Sequence, residues 1–301
     1  MQALTTAEIA SQPELWPRAA HLAAEVADVL PARGARACVV GCGTSLFIAQ
    51  SWAALRERAG HGQTDAFAAS ELPEGRRYDV LVAISRSGST SEVVHALGRD
   101  VAERTVAITA DRDAAVGRAA DDAIDLDFAD ERSVVQTRFA TTALVLLREL
   151  VQPGAAASAA ADARRALECP LPVDPEAVEQ WTFLGRGWTI GLAHEAALKL
   201  RESAQAWAEA YPMFEYRHGP ISIAAPGRVV WSLDPLDPSL AMELERIGAT
   251  VVTDELDPLA SLVIAQRTAV ALAAARGLDP DRPRNLARSV ILADPDLEVL
   301  S

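Results

Sequence analysis

At 301 residues the chain is long enough for two domains of about 150 residues, each able to bury a full core. Half of its residues are hydrophobic, yet no apolar run reaches the roughly 20 residues needed to cross a bilayer. With 42 acidic residues against 28 basic ones the net charge is −14, which argues against nucleic acid and anionic membrane as partners and requires any phosphate to be captured by local donors. The opening MQALTTAEIASQPELW has no basic region followed by an apolar core, so no secretory signal is expected. Cys38, Cys42 and Cys169 are odd in number and show no metal-ligand spacing, which suits buried thiols in a reducing cytoplasm.

In chain order, the pattern from Thr6 to Leu30 is helical, with a break expected near Gln12-Pro13 and a stop from Pro31 to Gly34. Ala37 to Val40 reads as a buried strand, followed by Gly41-Cys42-Gly43-Thr44-Ser45 and a helix to Glu57. Such a small-residue loop lets backbone N–H groups approach an anion, although an ordinary structural turn has the same pattern. After the strand Val80 to Ile84 comes Ser85-Arg86-Ser87-Gly88-Ser89-Thr90, with a helix starting near Ser91-Glu92. Five of those six residues are hydroxyl-bearing or Gly, a concentration of donors that an anion site shares with an ordinary N-cap. Strands near 37–42, 64–69, 78–84, 105–110 and 122–127 fit a parallel sheet of order 2-1-3-4-5. In that order strands one and three are neighbours, and their loops meet where the order reverses.

Ser133-Val134-Val135-Gln136-Thr137-Arg138 then leads into an apolar helix ending near Gln152-Pro153. The Ala-rich run from Ala155 to Leu167 is expected to be a linking helix, because Ala is the best helix former. Cys169-Pro170-Leu171-Pro172 marks a boundary between a first domain at 1–170 and a second at 171–301. The second half repeats the first in outline, with a strand from Thr182 to Leu184, the loop Gly185-Arg186-Gly187 and a helix from Ile190 onward. Further strands are expected from Val229 to Leu233 and Ala249 to Thr253, and a long helix from Leu259 to Ala275.

The most reactive side chains are concentrated between His194 and Pro220, HEAALKLRESAQAWAEAYPMFEYRHGP. As a helix, this stretch places Glu195, Lys199 and Glu202 at i, i+4 and i+7 on one face, with the helical pattern ending at Tyr211-Pro212. The first two have the spacing of an ordinary solvated ion pair, and a His before Gly-Pro fits a structural turn. A carboxylate base and a group that titrates near neutrality are also what proton transfer on a sugar requires.

The runs ALKLRE, EAYP and EYRHGP, the SRSGST and GTS loops and the C-terminal DRPRNLARSV resemble the sugar isomerase (SIS) family. They are similar to the isomerase half of glutamine–fructose-6-phosphate aminotransferase (glucosamine-6-phosphate synthase) and to stand-alone phosphosugar isomerases and deaminases. This resemblance spans essentially the whole chain. It implies an α/β fold of two tandem SIS domains, each a three-layer αβα sandwich with a flavodoxin-like parallel sheet. Carried over by position, Glu202 is the base for the C1–C2 proton shift, His218 assists ring opening and Lys199 lines the site. Ser85, Ser87 and Thr90 are implied phosphate ligands, with Ser45 and its neighbour Thr44 as further contacts. Val134 and Gln136 occupy the places of a segment that touches the sugar, and Arg86 stands where the family has Gln and adds a positive charge to the phosphate loop.

Two departures qualify the resemblance. Arg288 replaces a Lys credited with a Schiff base to the keto sugar; a guanidinium stays protonated, so stabilisation of developing negative charge is the role left to it. A glutaminase region is not seen, and position 2 is Gln2 where its nucleophilic Cys would stand, so glutamine is not the expected ammonia source. The reading is a phosphosugar isomerase or deaminase of the glucosamine-6-phosphate type, without metal or organic cofactor. The alternatives are a ketose/aldose isomerase or deglycase on another phosphorylated sugar and a non-catalytic phosphosugar sensor. The expected partners are the phosphorylated sugar and a second copy of the chain, with His218 reaching the neighbour's site; no nucleic acid or membrane partner is expected.

Overall fold

The computed structural model describes residues 3–293. They form two compact units, each built on its own parallel sheet. One comprises Glu14–Glu131, Arg138–Ala156 and the segment from Ala287; the other comprises the residues up to Pro13, Arg132–Thr137 and Ala157–Leu286. The first sheet is drawn from residues before 170 and the second from residues after it, but the units interleave along the chain and do not follow a single cut at that point.

The first sheet consists of β1 (Ala37–Gly41), β2 (Thr64–Ala68), β3 (Tyr78–Ser85), β4 (Ala102–Thr109) and β5 (Asp122–Asp125), ordered β2-β1-β3-β4-β5 with every pair parallel. All of β1 is buried, as is β3 apart from Asp79, which accounts for their near-continuous apolar runs. Parallel neighbours need crossovers, and these are α2 (Thr44–Arg58), α3 (Ser91–Leu97) and α4 (Ala115–Ala119). The core of this unit joins Val40, Leu81, Ala83, Val93, Ala107 and Val116. Behind the sheet α2 packs against α5 (Arg138–Glu149).

The second sheet is ordered β7-β6-β8-β9, from β6 (Gln180–Gly185), β7 (Ala208–Pro212), β8 (Arg228–Ser232) and β9 (Thr250–Val252), again all parallel. Its local order repeats the first four positions of the other sheet. Trp231 packs on Phe183 at 5.5 Å and on Trp181 at 6.5 Å between centroids. α7 (Thr189–Ala204) follows β6 through a tight turn, where a Cβ on Gly185 would collide with the Thr189 carbonyl oxygen. α8 (Pro238–Ile247) and α9 (Pro258–Ala275) begin alike, with Asp237 and Asp257 accepting from the first-turn N–H groups of Leu240 and Leu259 and Pro in the first turn. Long and apolar enough to cross a membrane by composition, α9 is 67% buried and packs against α7 as a core helix. α6 (Ala155–Glu168) occupies the Ala-rich run.

Two local expectations are corrected. α1 (Leu4–Glu25) runs straight through Gln12-Pro13. Pro13 has no N–H for the Ile9 carbonyl, and the Gln12 side chain supplies one: Nε2 donates to Ile9 O at 3.0 Å and to Gln266 Oε1 at 2.7 Å. Pro17 likewise leaves the Pro13 carbonyl open, and Arg164 Nη2 donates to it at 3.5 Å. The second correction concerns α7, which ends at Ala204 and not at Tyr211. Gln205 turns left-handed (φ 52°), a helix-ending conformation, and the chain then pairs with β6 as β7, taking Trp181 N–H onto Trp207 O at 3.0 Å.

Candidate active site

Helical spacing places Glu195, Lys199 and Glu202 on one face of α7, and their side chains meet. Lys199 Nζ lies 3.3 Å from Glu195 Oε1 and 2.6 Å from Glu202 Oε2. The environments differ sharply along the row: the Glu195 and Lys199 side chains are 0% and 1% exposed, and Glu202 is 18% exposed. The solvated ion pair suggested by spacing alone is therefore a buried one. α7 is apolar nearly all round, through Leu192, Ala193, Ala196, Ala197 and Leu200, and so brings its charges into the core. Burial acts to lower the Lys199 pKa, but the two flanking carboxylates and their hydrogen bonds outweigh it and hold the ammonium above its usual value. An ammonium fixed in this way keeps one Glu202 oxygen occupied and fixes the orientation of the carboxylate.

Two open pockets flank Glu202. One, of about 400 Å³, is lined by Leu198, Arg201, Gln205, Arg284 and Asn285; the other, of about 340 Å³, by Ser203, Leu278, Asp279, Arg282 and Arg284. Arg201 also closes the end of the helix by donating to Ala208 O at 2.7 Å. Within the same unit, Val134 N–H donates to Asp281 O at 3.4 Å, while Gln136 keeps a buried Oε1 that accepts nothing among the described residues. His218 caps a short 3₁₀ turn (Glu215–Arg217), is exposed, and is not among the residues lining either pocket beside Glu202. A third cavity, of about 370 Å³ between Ile9, Leu171 and Val270, is apolar apart from Thr6 and Arg267, and Arg267 donates to the Ala166 and Cys169 carbonyls.

The hydroxyl-rich loop lies in the other unit, at the carboxyl end of β3, beside the loop that follows β1. Ser45 and Thr44 are buried in the first turn of α2. Gly88 has φ +65°, and a Cβ there would meet Ala114 Cβ at 2.6 Å and Asp111 O at 2.9 Å, so the tight turn excludes a side chain. Ser85 Oγ is buried with no hydrogen-bond partner among the described residues, and the Thr90 hydroxyl makes no capping bond to α3. Ser87 Oγ accepts from Ser89 N–H at 3.3 Å. Arg86 is buried, 3.9 Å from Glu131 Oε2, and donates to Arg288 O at 3.1 Å. Arg288 in turn donates to Asp130 Oδ1 at 2.5 Å and to the Glu131 carbonyl.

Sequence reasoning did not single out Glu131 or Ser289 as site residues. The Ser289 hydroxyl lies 3.2 Å from Ser87 Oγ and 3.0 Å from Ser89 Oγ. No spacing rule links positions about two hundred apart, so nothing in the sequence pattern signals either contact. Burial pushes the Cys38 thiol up to about 12 and the Cys42 thiol up to about 11, which removes both as nucleophiles near neutrality.

Residues 32–150, which include the hydroxyl loop, match the family model of the SIS domain. The chain therefore carries a SIS domain over those residues. It is 29% identical over 313 aligned residues to the glutamine–fructose-6-phosphate aminotransferase [isomerizing] of Gloeobacter violaceus, with 85% of this chain and 51% of that protein covered. The chain thus spans about half the length of the curated relatives it matches. Among solved structures, glucosamine-6-phosphate deaminase from Thermotoga maritima superposes with a TM-score of 0.84 at 24% identity, covering 96% of this chain and 100% of that one. Tagatose-6-phosphate ketose/aldose isomerase from Escherichia coli gives 0.79 at 21%, covering 95% and 97%. At these identities the two structures establish a shared fold.

Proposed function

We propose that the chain is a phosphosugar isomerase or aminosugar-phosphate deaminase of the glucosamine-6-phosphate type, acting by ring opening and a 1,2-proton transfer. The observation that carries this reading is the graded row on α7: a buried Glu195–Lys199 pair behind a partly exposed Glu202 whose one oxygen is held at 2.6 Å. A pure binding protein needs donors for phosphate and hydroxyl groups, and has no use for a carboxylate presented to a pocket by a buried ammonium. Glu202 removes the proton from C2 of the open-chain sugar and returns it to C1, or the reverse, through an enediol or enolamine. The Lys199 ammonium, 2.6 Å from Glu202 Oε2, orients the base and stabilises negative charge as it develops.

Ser85, Ser87, Thr90 and the Thr44-Ser45 turn hold the substrate phosphate, with hydroxyl donors suited to a chain of net charge −14. The second sheet is read as a second SIS domain, on the strength of its repeated local order. With an aminosugar phosphate, hydrolysis of the intermediate imine gives a ketose phosphate and ammonia; with an ordinary sugar phosphate the same proton transfer is an aldose–ketose isomerisation. Neither route needs an imine at position 288, where Arg288 is engaged with Asp130. The exposure of His218, away from the Glu202 pockets, supports a homodimer in which it assists ring opening in the neighbouring copy.

The test is to offer purified protein glucosamine 6-phosphate and, separately, glucose 6-phosphate, and to measure ammonia and ketose together. Ammonia with stoichiometric fructose 6-phosphate supports the deaminase. Ketose from the ordinary sugar without ammonia supports the isomerase. Phosphosugar binding without turnover of these or other sugar phosphates would favour the sensor.

A further inference from the structure

We propose that Ser289, on the C-terminal tail, is a direct ligand of the bound phosphate, so that the group the loop captures also fastens the tail over it. This rests on the reading of the Ser85–Thr90 loop as the phosphate site. Residues 288–292 of the tail lie against that loop and the start of the helix after it. Arg86 donates to Arg288 O, Ser91 N–H donates to Val290 O at 3.3 Å, and Leu292 N–H donates to Ser91 Oγ at 3.0 Å. The backbone on both sides of Ser289 is therefore held in place independently of its side chain. Its hydroxyl stands within hydrogen-bonding distance of both Ser87 and Ser89.

Three half-buried hydroxyls, each with one proton to donate, thus converge on one spot. A phosphate offers acceptors to all three. A second, independent observation also points to a ligand: Ser85, in the same loop, is 4% exposed, and its Oγ has no partner among the described residues. Arg86 does not take over the role of Ser289. Its guanidinium is buried beside Glu131 at 3.9 Å and spends a donor on the tail carbonyl, so it positions the tail and leaves hydroxyls as the donors that meet the anion.

The experiment is to titrate inorganic phosphate into the full chain and its Ser289→Ala, Ser289→Thr and Ser87→Ala variants by calorimetry, with hydrogen exchange at the Ser91 and Leu292 amides followed in parallel. Inorganic phosphate is used because its binding does not depend on which sugar is the substrate. Loss of one hydrogen bond to a charged group predicts weakening by about 10-fold or more in Ser289→Ala, with most of the affinity kept in Ser289→Thr. Phosphate should slow exchange of the Leu292 amide in the parent and leave it unaffected in Ser289→Ala. Tighter binding by Ser289→Ala would show that the tail hydroxyl competes with the anion, and would overturn the proposal. Unchanged binding in Ser289→Ala alongside loss in Ser87→Ala would overturn it too, with the phosphate loop left standing. Absence of binding by the parent would remove the phosphate site itself, and the proposal with it.

Discussion

Replacing Lys199 by Met separates a buried ionic row from a surface ion pair. An exposed pair of this spacing contributes about 0.2–1 kcal/mol, and its loss would be barely detectable. Here the ammonium lies 3.3 Å from a carboxylate that is 0% exposed and 2.6 Å from a second that is 18% exposed. Lys199→Met takes the compensating charge from Glu195 and leaves its carboxylate in the core, which costs about 3–5 kcal/mol. For a domain of this size that corresponds to a fall in Tm of about 6–20 °C. Urea denaturation followed by tryptophan fluorescence measures it, since Trp181 and Trp231 are buried in the same unit. Adding Glu195→Gln removes the buried charge and should recover a substantial part of the loss. The pH dependence has a definite sign. With the Lys199 pKa raised in the folded state, its stabilisation is fully present below the usual lysine value of 10.5 and is lost as pH rises through the folded value. A loss below about 1 kcal/mol, or one that Glu195→Gln fails to relieve, would refute the buried-row account.

Three further outcomes follow from the geometry. Glu202→Gln, near-isosteric and partly exposed, should lower turnover by about 10²- to 10⁴-fold while phosphate affinity and circular dichroism stay unchanged. Gly88→Ala forces a side chain onto Ala114 at 2.6 Å with φ at +65°, and should lower both thermal stability and phosphate affinity, the latter read by calorimetry. Asp281 accepts from Leu4 N at 2.7 Å, Thr5 N at 2.8 Å and Thr5 Oγ1 at 2.7 Å; burial alone would raise its pKa, but these donors hold it below the usual 3.8. Its stabilisation is therefore present above 3.8 and lost as pH falls through the folded value, so Asp281→Ala should be destabilised at neutral pH and converge with the parent in strong acid, as followed by thermal melts.

Much of this architecture is legible in the sequence because it is encoded locally. Strands such as Val80 to Ile84, buried on both faces, show as apolar runs, and SRSGST shows as a loop because small and hydroxyl residues cluster there. The row Glu195, Lys199 and Glu202 is given by helical spacing, but its burial is not, because burial depends on α9 and the strands packed around α7. Pro13 misleads for a similar reason: the donor that replaces its missing N–H comes from a Gln12 side chain held by Gln266. AWAEAYP continues a helical composition, and only pairing with β6 makes it a strand. The contacts least visible in the sequence are those between Ser289 or Arg288 and the region from Ser87 to Glu131, which join segments far apart in the chain.

Glu202 is proposed to move a proton between adjacent sugar carbons. The most direct measurement is uptake of solvent deuterium at C1 or C2 when glucosamine 6-phosphate or glucose 6-phosphate is incubated with the protein in D2O and followed by proton NMR. Label is expected at those carbons with the parent protein and none above background with Glu202→Gln, at sugar phosphate concentrations where both bind. Exchange at the parental rate in Glu202→Gln, or conversion by the parent without any label from solvent, would contradict it.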